Sequence, residues 1–165
     1  MRSKDKQRNS TEPKGELASR TLAMPADSNP KGDIFGGWIM SLMDSAGKMS
    51  ATPHAGGRVV TVAVSNITFL HPVHVGDTVC CYTAVKRLGR TSITLDVEVW
   101  VLRQGQGARI KVTDAEFTFV AVHEDGRPRE LMSPSPELQP VRERRRPIRQ
   151  PKGEVSALPA GRTLP

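Results

Sequence analysis

The stretch Asn29-Pro-Lys-Gly-Asp-Ile-Phe-Gly-Gly-Trp-Ile-Met-Ser-Leu-Met-Asp44 decides how the rest of this chain is interpreted. It contains a polar loop, then two consecutive glycines, then a largely apolar segment with one carboxylate, Asp44. Glycine costs up to about 1 kcal/mol per residue inside a helix, but in a first turn it leaves backbone N–H groups open to a ligand oxygen. Solubility does not explain an isolated acid among apolar residues. The chemistry is therefore predicted to lie between Asn29 and Asp44.

The formal net charge of +7 comes from the two ends of the 165-residue chain. Residues 1–20 hold six Lys or Arg against three Asp or Glu, residues 132–165 hold seven against three, and residues 21–131 hold 11 of each. Charged or proline-rich ends of this kind cannot bury enough apolar surface to offset the entropy of ordering. We therefore expect disordered tails at 1–16 and 132–165 around one domain at 17–131.

Composition also limits the partners and the compartment. The arginine-rich run at 142–146 has no interleaved aromatic residue for base stacking, so a solvated tail is favoured over a nucleic-acid partner. No apolar stretch approaches the ~20 residues of a membrane span, and the N-terminus lacks the apolar core of a signal peptide. Cys80 and Cys81 are adjacent in a strand-like run, which places their side chains on opposite faces and disfavours a bridge. A cytoplasmic protein is expected.

One long helix is predicted in the first half of the domain. Asp33 is a suitable N-cap, and the helix is expected to end near Thr52, before Pro53 and a glycine pair. A helical wheel groups the large apolar residues on one face: Phe35, Trp38, Ile39, Leu42, Ala46 and Met49. Asp44 lies nearly opposite, beside Gly37, Met40, Ser41 and Gly47. So few charges on this second face indicate a helix that is buried on both sides.

The remaining pattern predicts strands. A short strand at 19–24 precedes the helix, and four strands follow it at 59–69, 78–87, 91–101 and 109–122, separated by turn residues. One helix with an antiparallel meander makes an α+β domain, in which a curved sheet wraps around the helix. Its edge strands and the Asp44 side of the helix would still need cover, so a homodimer is expected.

These segments together resemble a known family. The resemblance is carried by Gly32-Asp-Ile-Phe-Gly-Gly-Trp-Ile-Met-Ser41, Met43-Asp44, Arg58-Val-Val-Thr-Val62, Val75-Gly-Asp-Thr-Val-Cys-Cys-Tyr82, Val97-Glu-Val-Trp-Val101 and Val112-Thr-Asp-Ala115. The chain resembles the hot-dog-fold acyl-CoA thioesterases of the YciA type over about residues 17–131. Two features depart from that family: the run Ser45-Ala46-Gly47-Lys48 after the acid, and the Pro/Arg-rich C-terminal extension.

The resemblance implies a mechanism of thioester hydrolysis. Asp44 would be a general base on water or a nucleophile that forms a mixed anhydride, and the sequence leaves both routes open. Asn29 would position the water or the thioester. The oxyanion and substrate site would be formed by backbone N–H groups at the helix start, around Phe35, Gly36 and Gly37. Burial beside Met40 is expected to raise the pKa of Asp44.

The resemblance also implies the partners. Acyl-CoA would be the substrate, with CoA as product and no cofactor. Asn29 and Asp44 would meet across a dimer interface, and the family pattern implies a hexamer built as a trimer of dimers, while the sequence itself leaves hexamer and tetramer open. The candidates for CoA phosphate contacts, chosen because phosphates need Arg or exposed donors, are Arg58, Arg90, Thr91 and Ser92.

Two other functions remain open at this stage. One is a non-catalytic acyl-CoA-binding protein, because a fold does not fix a function. The other is a hot-dog hydratase or dehydratase, which would use a helix-borne histidine, and the predicted helix at 34–52 has none. No metal is expected, because the four histidines lack zinc-ligand spacing.

Overall fold

The structure is a computed structural model, and it describes residues 11–132. The elements are β1 (Glu16–Leu22), a short 3-10 helix (Pro25–Asp27), α1 (Gly36–Ala55), β2 (Val59–Phe69), β3 (Thr78–Leu88), β4 (Ser92–Leu102) and β5 (Arg109–Ala121). The tails predicted at 1–16 and 132–165 fall mostly outside the described residues. Ordered structure starts before the predicted boundary at residue 17, because the Lys14 N–H donates to Glu98 Oε2 at 3.1 Å and β1 begins at Glu16. No helix of residues 11–132 is long and apolar enough to cross a membrane.

The five strands form one antiparallel sheet in the order β1-β3-β4-β5-β2, with α1 packed against one face. This arrangement confirms the predicted α+β class, and the limits of β2 to β5 agree with the sequence to within one residue. The simple meander was wrong for β2, which pairs with β5 at the far edge and not with β3. The reason lies in the connection at 70–77: its backbone bonds to Ile34 and Ala23 and so crosses the sheet without forming a hairpin.

α1 begins three residues after the predicted cap. Phe35 is the N-cap, with extended φ and ψ and no side-chain cap, and Gly36 is the first helical residue. Asp33 cannot start the helix because its backbone is engaged elsewhere: it forms a bridge with His74, and its carbonyl accepts the Asn29 N–H at 2.7 Å. At the other end Pro53 lies inside the helix, whose last residue is Ala55. A proline inside a helix removes one hydrogen bond to the preceding turn, and here the helix ends two residues later.

The buried face of α1 is rotated from the predicted one. Its fully buried residues are Ile39, Met43, Ala46, Gly47, Ala51 and Ala55. Trp38 and Leu42 are partly buried against the same core, but Phe35 and Met49 are 52% and 53% exposed. Gly47 was wrongly placed on the outer face. In the single chain that outer face is open, so the expected burial on both sides requires another molecule.

Small residues on α1 allow it to approach the sheet closely. An ideal Cβ on Gly47 would lie 2.6 Å from the ring edge of Phe119, which is fully buried on β5. The Phe119 ring has little room to move away from such a Cβ, because it is fully buried and also stacks with the Phe117 ring at a centroid distance of 6.2 Å. Gly47 therefore sets the distance between the helix and the centre of the sheet.

The sheet carries a second, smaller cluster on its outer face. It contains Cys80, Tyr82 and Trp100, whereas Cys81 belongs to the core under the helix. Both thiols are free and buried, which confirms that adjacent strand positions hold them apart. Beside this cluster the buried Glu98 carboxylate accepts from Trp100 Nε1 at 2.9 Å and from Lys111 Nζ at 3.1 Å.

Replacing Gly47 with Ala is expected to destabilise the fold by about 1–3 kcal/mol, because the added methyl group overpacks the contact with Phe119. Chemical unfolding monitored by circular dichroism measures this change. Ser45→Ala is the matched control: Ser45 is exposed on the same helix, and alanine there should leave stability unchanged or slightly higher. Equal stability of Gly47→Ala and wild type would contradict the close packing.

Candidate active site

Asp44 lies midway along α1 and joins the helix to the edge strand β2. Its Oδ1 accepts a short hydrogen bond from the hydroxyl of Thr61 on β2. Its Oδ2 accepts from Lys48 Nζ at 2.6 Å, one helical turn further along α1. The Asp44 side chain is 29% exposed. Each carboxylate oxygen therefore has one partner among the described residues and keeps further acceptor capacity.

Two opposing effects set the pKa of Asp44. Burial raises this pKa, while hydrogen bonds from Lys48 and Thr61 and the charge of Lys48 lower it. The lowering effects prevail together, so the pKa lies below the usual range of an aspartate. The expectation that burial beside Met40 raises this pKa is wrong for the single chain, in which Met40 is itself 38% exposed. Asp44 is an anion at neutral pH.

The first turn of α1 presents unused donors. No hydrogen bond in residues 11–132 uses the N–H of Gly36 or of Gly37, which are among the four orphan donors of a helix start. They lie at the positive end of the helix dipole. An ideal Cβ on Gly36 would be 3.2 Å from the Phe69 ring. The exposed Phe35 ring borders Gly37 on the other side. The turn can therefore accept a small anionic group between two aromatic side chains.

Asn29 lies in the loop that leads into this turn. Its Oδ1 accepts from the backbone N–H of Lys31 at 2.9 Å and of Asp33 at 3.1 Å. Its side-chain NH2 group has no partner among the described residues. The carbonyl side of the amide is thus committed to the loop, and the NH2 side is available as a donor. Asn29 makes no hydrogen bond to Asp44 within the described chain.

A cavity of about 390 Å³ opens beside the first turn of α1. Its wall is mostly apolar, and it includes Gly36 and the core residues Ile34, Ile39, Val73 and Val112, together with Phe69, Leu70, His71 and Pro72. An apolar chain can fill such a space while its polar end meets the Gly36 N–H. No three His, Cys, Asp or Glu side chains are grouped as metal ligands in the described residues.

A buried ion pair fixes the loops around this turn. Arg103 donates through Nε and Nη2 to the two carboxylate oxygens of Asp77, at 3.0 and 2.8 Å, and through Nη2 to the carbonyl of Pro72 at 3.0 Å. Asp77 also accepts the His74 N–H at 2.9 Å. The Ile34 N–H in turn donates to the Val73 carbonyl at 3.0 Å. The pair thereby holds the segment that determines where α1 begins.

The four candidates for CoA phosphate contacts lie at the other end of the molecule. Arg58 precedes β2 and donates to the Glu124 carbonyl at 3.3 Å, and Arg90 forms an exposed ion pair with Glu130 at 3.0 Å. Thr91 and Ser92 continue the turn into β4, where their carbonyls accept from Ala121 and Gly89. α1 spans 20 residues, about 30 Å, so one chain does not bring these residues together with Gly36.

Two contacts of Asp44 were not predicted from the sequence. Thr61 is part of a β-branched strand, and nothing in its neighbourhood marks it as a partner of a residue 17 positions earlier. Lys48 was noted only as a departure from the family, although its spacing of four residues from Asp44 is a sequence signal for a helical ion pair. The position of His54 bears on the hydratase alternative, which would use a helix-borne histidine. The predicted helix ended before His54, but α1 includes His54 in its exposed last turn. His54 is ten positions, about 15 Å, from Asp44.

Comparison with known proteins shows the family of this chain. Residues 31–108 match the family model of the thioesterase superfamily. The acyl-CoA thioester hydrolase YciA of Salmonella typhimurium is 56% identical over 122 residues, which cover 72% of this chain and 92% of that protein. The chain belongs to the YciA family of acyl-CoA thioester hydrolases.

Solved structures of this family share the fold. A hexameric broad-specificity acyl-coenzyme A thioesterase, solved as a variant with an aspartate replaced by alanine, is 54% identical and has a TM-score of 0.70, with coverage of 72% of this chain and 88% of that one. An acyl-CoA hydrolase from Staphylococcus aureus is 26% identical. It was solved as an aspartate-to-alanine variant, with a TM-score of 0.63, and as an asparagine-to-alanine variant in complex with coenzyme A, with a TM-score of 0.65. Those comparisons cover 68% of this chain and 69% and 68% of the two variant chains. The predicted hot-dog fold is thereby confirmed.

Replacing Arg103 with Met should destabilise this YciA-family domain by about 3 kcal/mol, because the buried Asp77 carboxylate loses its cation. Arg127→Met, which breaks an exposed pair with Asp125, should have no measurable effect. Urea unfolding compares the two variants. Stability of Arg103→Met equal to that of Arg127→Met would contradict a structural role for the buried pair.

The same pair predicts a pH dependence. Burial raises the pKa of Asp77. Hydrogen bonds from Arg103 and from the His74 N–H, together with the charges of the Arg103 and His74 side chains, lower this pKa below its usual value. A lowered folded-state pKa contributes stability that is complete above the unfolded pKa of ~3.9 and is lost as the pH falls through the folded value. Wild type should lose stability in this acid range, and Arg103→Met should lose less. Parallel pH profiles of the two proteins would contradict the assignment.

Proposed function

We propose that this protein hydrolyses acyl-CoA thioesters to the free fatty acid and CoA, with Asp44 as the catalytic carboxylate. The observation that carries the proposal is the position of Asp44: one ionised carboxylate on the face of α1 that borders the exposed edge strand β2. The family relatives act on acyl-CoA by name, and one of them was studied with an aspartate replaced by alanine. This substrate class and two buried free thiols support a cytoplasmic location.

Hydrolysis requires a base, an attacking oxygen and donors for the developing oxyanion. In one route Asp44 takes a proton from water while the water oxygen bonds to the thioester carbon. In the other, a carboxylate oxygen of Asp44 bonds to that carbon directly, and water later cleaves the anhydride. In both routes the C–S bond breaks, and CoA leaves as a thiolate that then takes up a proton. The N–H groups of Gly36 and Gly37 would stabilise the oxyanion.

Asn29 would act as a donor to the thioester or the water. Its Oδ1 is occupied by the backbone N–H groups of Lys31 and Asp33, which leaves its NH2 group for substrate. In the Staphylococcus aureus hydrolase the asparagine and the aspartate that were replaced are 15 positions apart, as Asn29 and Asp44 are. The matching spacing supports a pair of residues with related roles. Phe35 and the cavity next to Gly36 would hold the acyl chain.

Distances along α1 argue for a site shared by two chains. Asp44 is eight residues beyond Gly36, about 12 Å along the axis. Reacting atoms must come within about 3–3.5 Å of each other, and oxyanion donors within about 3 Å of the carbonyl oxygen. One thioester cannot meet both requirements within one chain. Asp44 of one subunit would therefore act with Gly36 and Asn29 of another.

Strand β2 offers the surface for this association. Among the described residues it pairs only with β5. It has 11 residues without a charge or a proline, and Val62, Val64 and Phe69 on it are exposed. Natural edge strands are usually protected by charges or prolines. A two-fold axis would pair two β2 strands antiparallel, and hexameric family neighbours support an assembly of three such dimers.

The same axis would complete the CoA site. Arg58 precedes the first residue of β2, and Phe69 beside Gly36 is the last residue. Antiparallel pairing places the start of one β2 strand opposite the end of the other. Arg58, with Arg90, Thr91 and Ser92 at the same end of the sheet, would then approach the first helical turn of the second subunit. This arrangement would give the CoA phosphates cationic and hydroxyl partners near the thioester end of the second subunit.

Replacing Asp44 with Asn should lower kcat for acyl-CoA hydrolysis by roughly 10²–10⁴-fold, because the amide cannot accept the proton or attack. CoA release from short-, medium- and long-chain acyl-CoAs measures the loss and the chain preference together. Asp33→Asn is the matched control: it removes an exposed carboxylate from the preceding loop and should retain full activity.

Wild type that binds acyl-CoA without releasing thiol would instead favour a non-catalytic binding protein. Formation of hydroxyacyl-CoA from enoyl-CoA would favour a hydratase. Equal rates for Asp44→Asn and wild type would remove Asp44 from the mechanism but leave the activity.

Replacing Val62 with Lys should disrupt the assembly and lower activity with it. Val62 is 56% exposed on the free edge strand, and a cation there opposes pairing of two identical strands. Sedimentation velocity measures the mass of the particle, and circular dichroism tests whether the subunit stays folded. A variant with the mass and activity of wild type would contradict association through β2.

A further inference from the structure

Among the described residues, Lys48 is the charged residue in contact with Asp44, and it has no part in the proposed chemistry. Its Nζ lies 2.6 Å from Asp44 Oδ2, and its side chain is 44% exposed. The sequence Asp44-Ser-Ala-Gly-Lys48 places the two residues one turn apart, with the acid on the N-terminal side, which is the favourable order for a helical pair. Many such surface pairs have no effect beyond the helix itself.

Three observations separate this pair from an ordinary surface pair. The other oxygen of Asp44 is held by Thr61, so the carboxylate is fixed from the helix and from the sheet. Asp44 is less exposed than its partner. Among the described residues of one chain, Lys48 is the cation whose charge lowers the pKa of Asp44. Lys48 from α1 and the uncharged Thr61 from β2 are the groups that face the carboxylate.

We infer that Lys48 is a positioning residue that keeps Asp44 ionised and oriented, and thereby extends hydrolysis to acid pH. The inference rests on the proposed function, in which Asp44 works as an anion. Lys48 holds one oxygen through an N–H donor and Thr61 holds the other, so rotation of the carboxylate is restricted. The carboxylate keeps further acceptor capacity, and its side chain is partly exposed, so water or thioester can reach it. Lys48 acts through Asp44 and takes no part in bonding to the water or the thioester.

The ammonium group of Lys48 affects the pH at which Asp44 takes up a proton. An ammonium ion favours the anionic form of the carboxylate, so protonation of Asp44 requires a lower pH. Without it, burial is opposed only by the hydrogen bond from Thr61, and the pKa of Asp44 should rise. The acid limb of the rate profile follows this pKa, because only the anion acts as base or nucleophile.

The test compares pH profiles of kcat/KM for wild type, Lys48→Met and Lys48→Arg. Methionine keeps the length of the side chain and removes the charge, while arginine keeps the charge. Loss of thioester absorbance is the preferred signal, because it needs no free thiolate and works at acid pH. The acid limb of Lys48→Met should move to higher pH, and that of Lys48→Arg should stay near wild type.

Lys86→Met is the matched control. Lys86 lies on β3 and forms ion pairs with Asp96 on β4 and Glu116 on β5, away from α1. Its replacement removes the same charge from the chain and should leave the acid limb unchanged. Thermal unfolding of all variants confirms that each is folded over the pH range used.

The outcomes are distinguishable. A limb that moves in Lys48→Met alone supports the inference. Coincident limbs in wild type and Lys48→Met, or an equal loss of rate at every pH, overturn it while the proposed hydrolysis stands. If wild type hydrolyses no acyl-CoA, the proposed function fails, and the inference about Lys48 fails with it.

Discussion

The backbone bond from Ile34 to the carbonyl of Val73 determines where the helix begins, and the rest of the site depends on that point. Because residues 33 and 34 are paired with the 72–77 segment, the chain cannot enter a helix before Gly36. The first N–H groups are consequently left without a capping side chain. An N-cap aspartate at position 33 would have satisfied them and closed the site. The ion pair of Asp77 and Arg103 holds the 72–77 segment through its bonds to the His74 N–H and the Pro72 carbonyl.

The buried charged groups of the described core each have a partner of opposite charge. The described core has few isolated charges, and its buried ions are matched: Arg103 with Asp77, and Lys111 with Glu98. Removing either partner of such a pair leaves a buried ion without compensation. Asp44 differs because its side chain is partly exposed and lies on a face of α1 that the single chain leaves uncovered. Its neighbours keep it anionic without enclosing it, which suits a group that must meet a substrate from outside the chain.

Local pattern predicts much of this fold, and long-range contacts explain what it misses. Alternating apolar residues gave the limits of β2 to β5, and the apolar helix with its single acid was found from periodicity. The start of α1 depends on hydrogen bonds to residues about 40 positions away. The pairing of β2 with β5 depends on a connection that crosses the sheet. Gly47 was misplaced because a wheel does not reveal that Phe119 approaches it. Thr61 was missed for the same reason, while the roles of Asn29 and Asp44 stay predictions from the family pattern.

The edge of β2 has a further consequence while the chain is still alone. An uncharged strand of 11 residues with exposed valines is a template for any extended segment, not only for its proper partner. Correct pairing and misassembly both require a meeting of two chains, so both accelerate as newly made protein accumulates. Slow synthesis at low temperature would give each subunit time to complete its own sheet first. The yield of folded protein is thus governed by kinetics at this edge as much as by the stability of the finished domain.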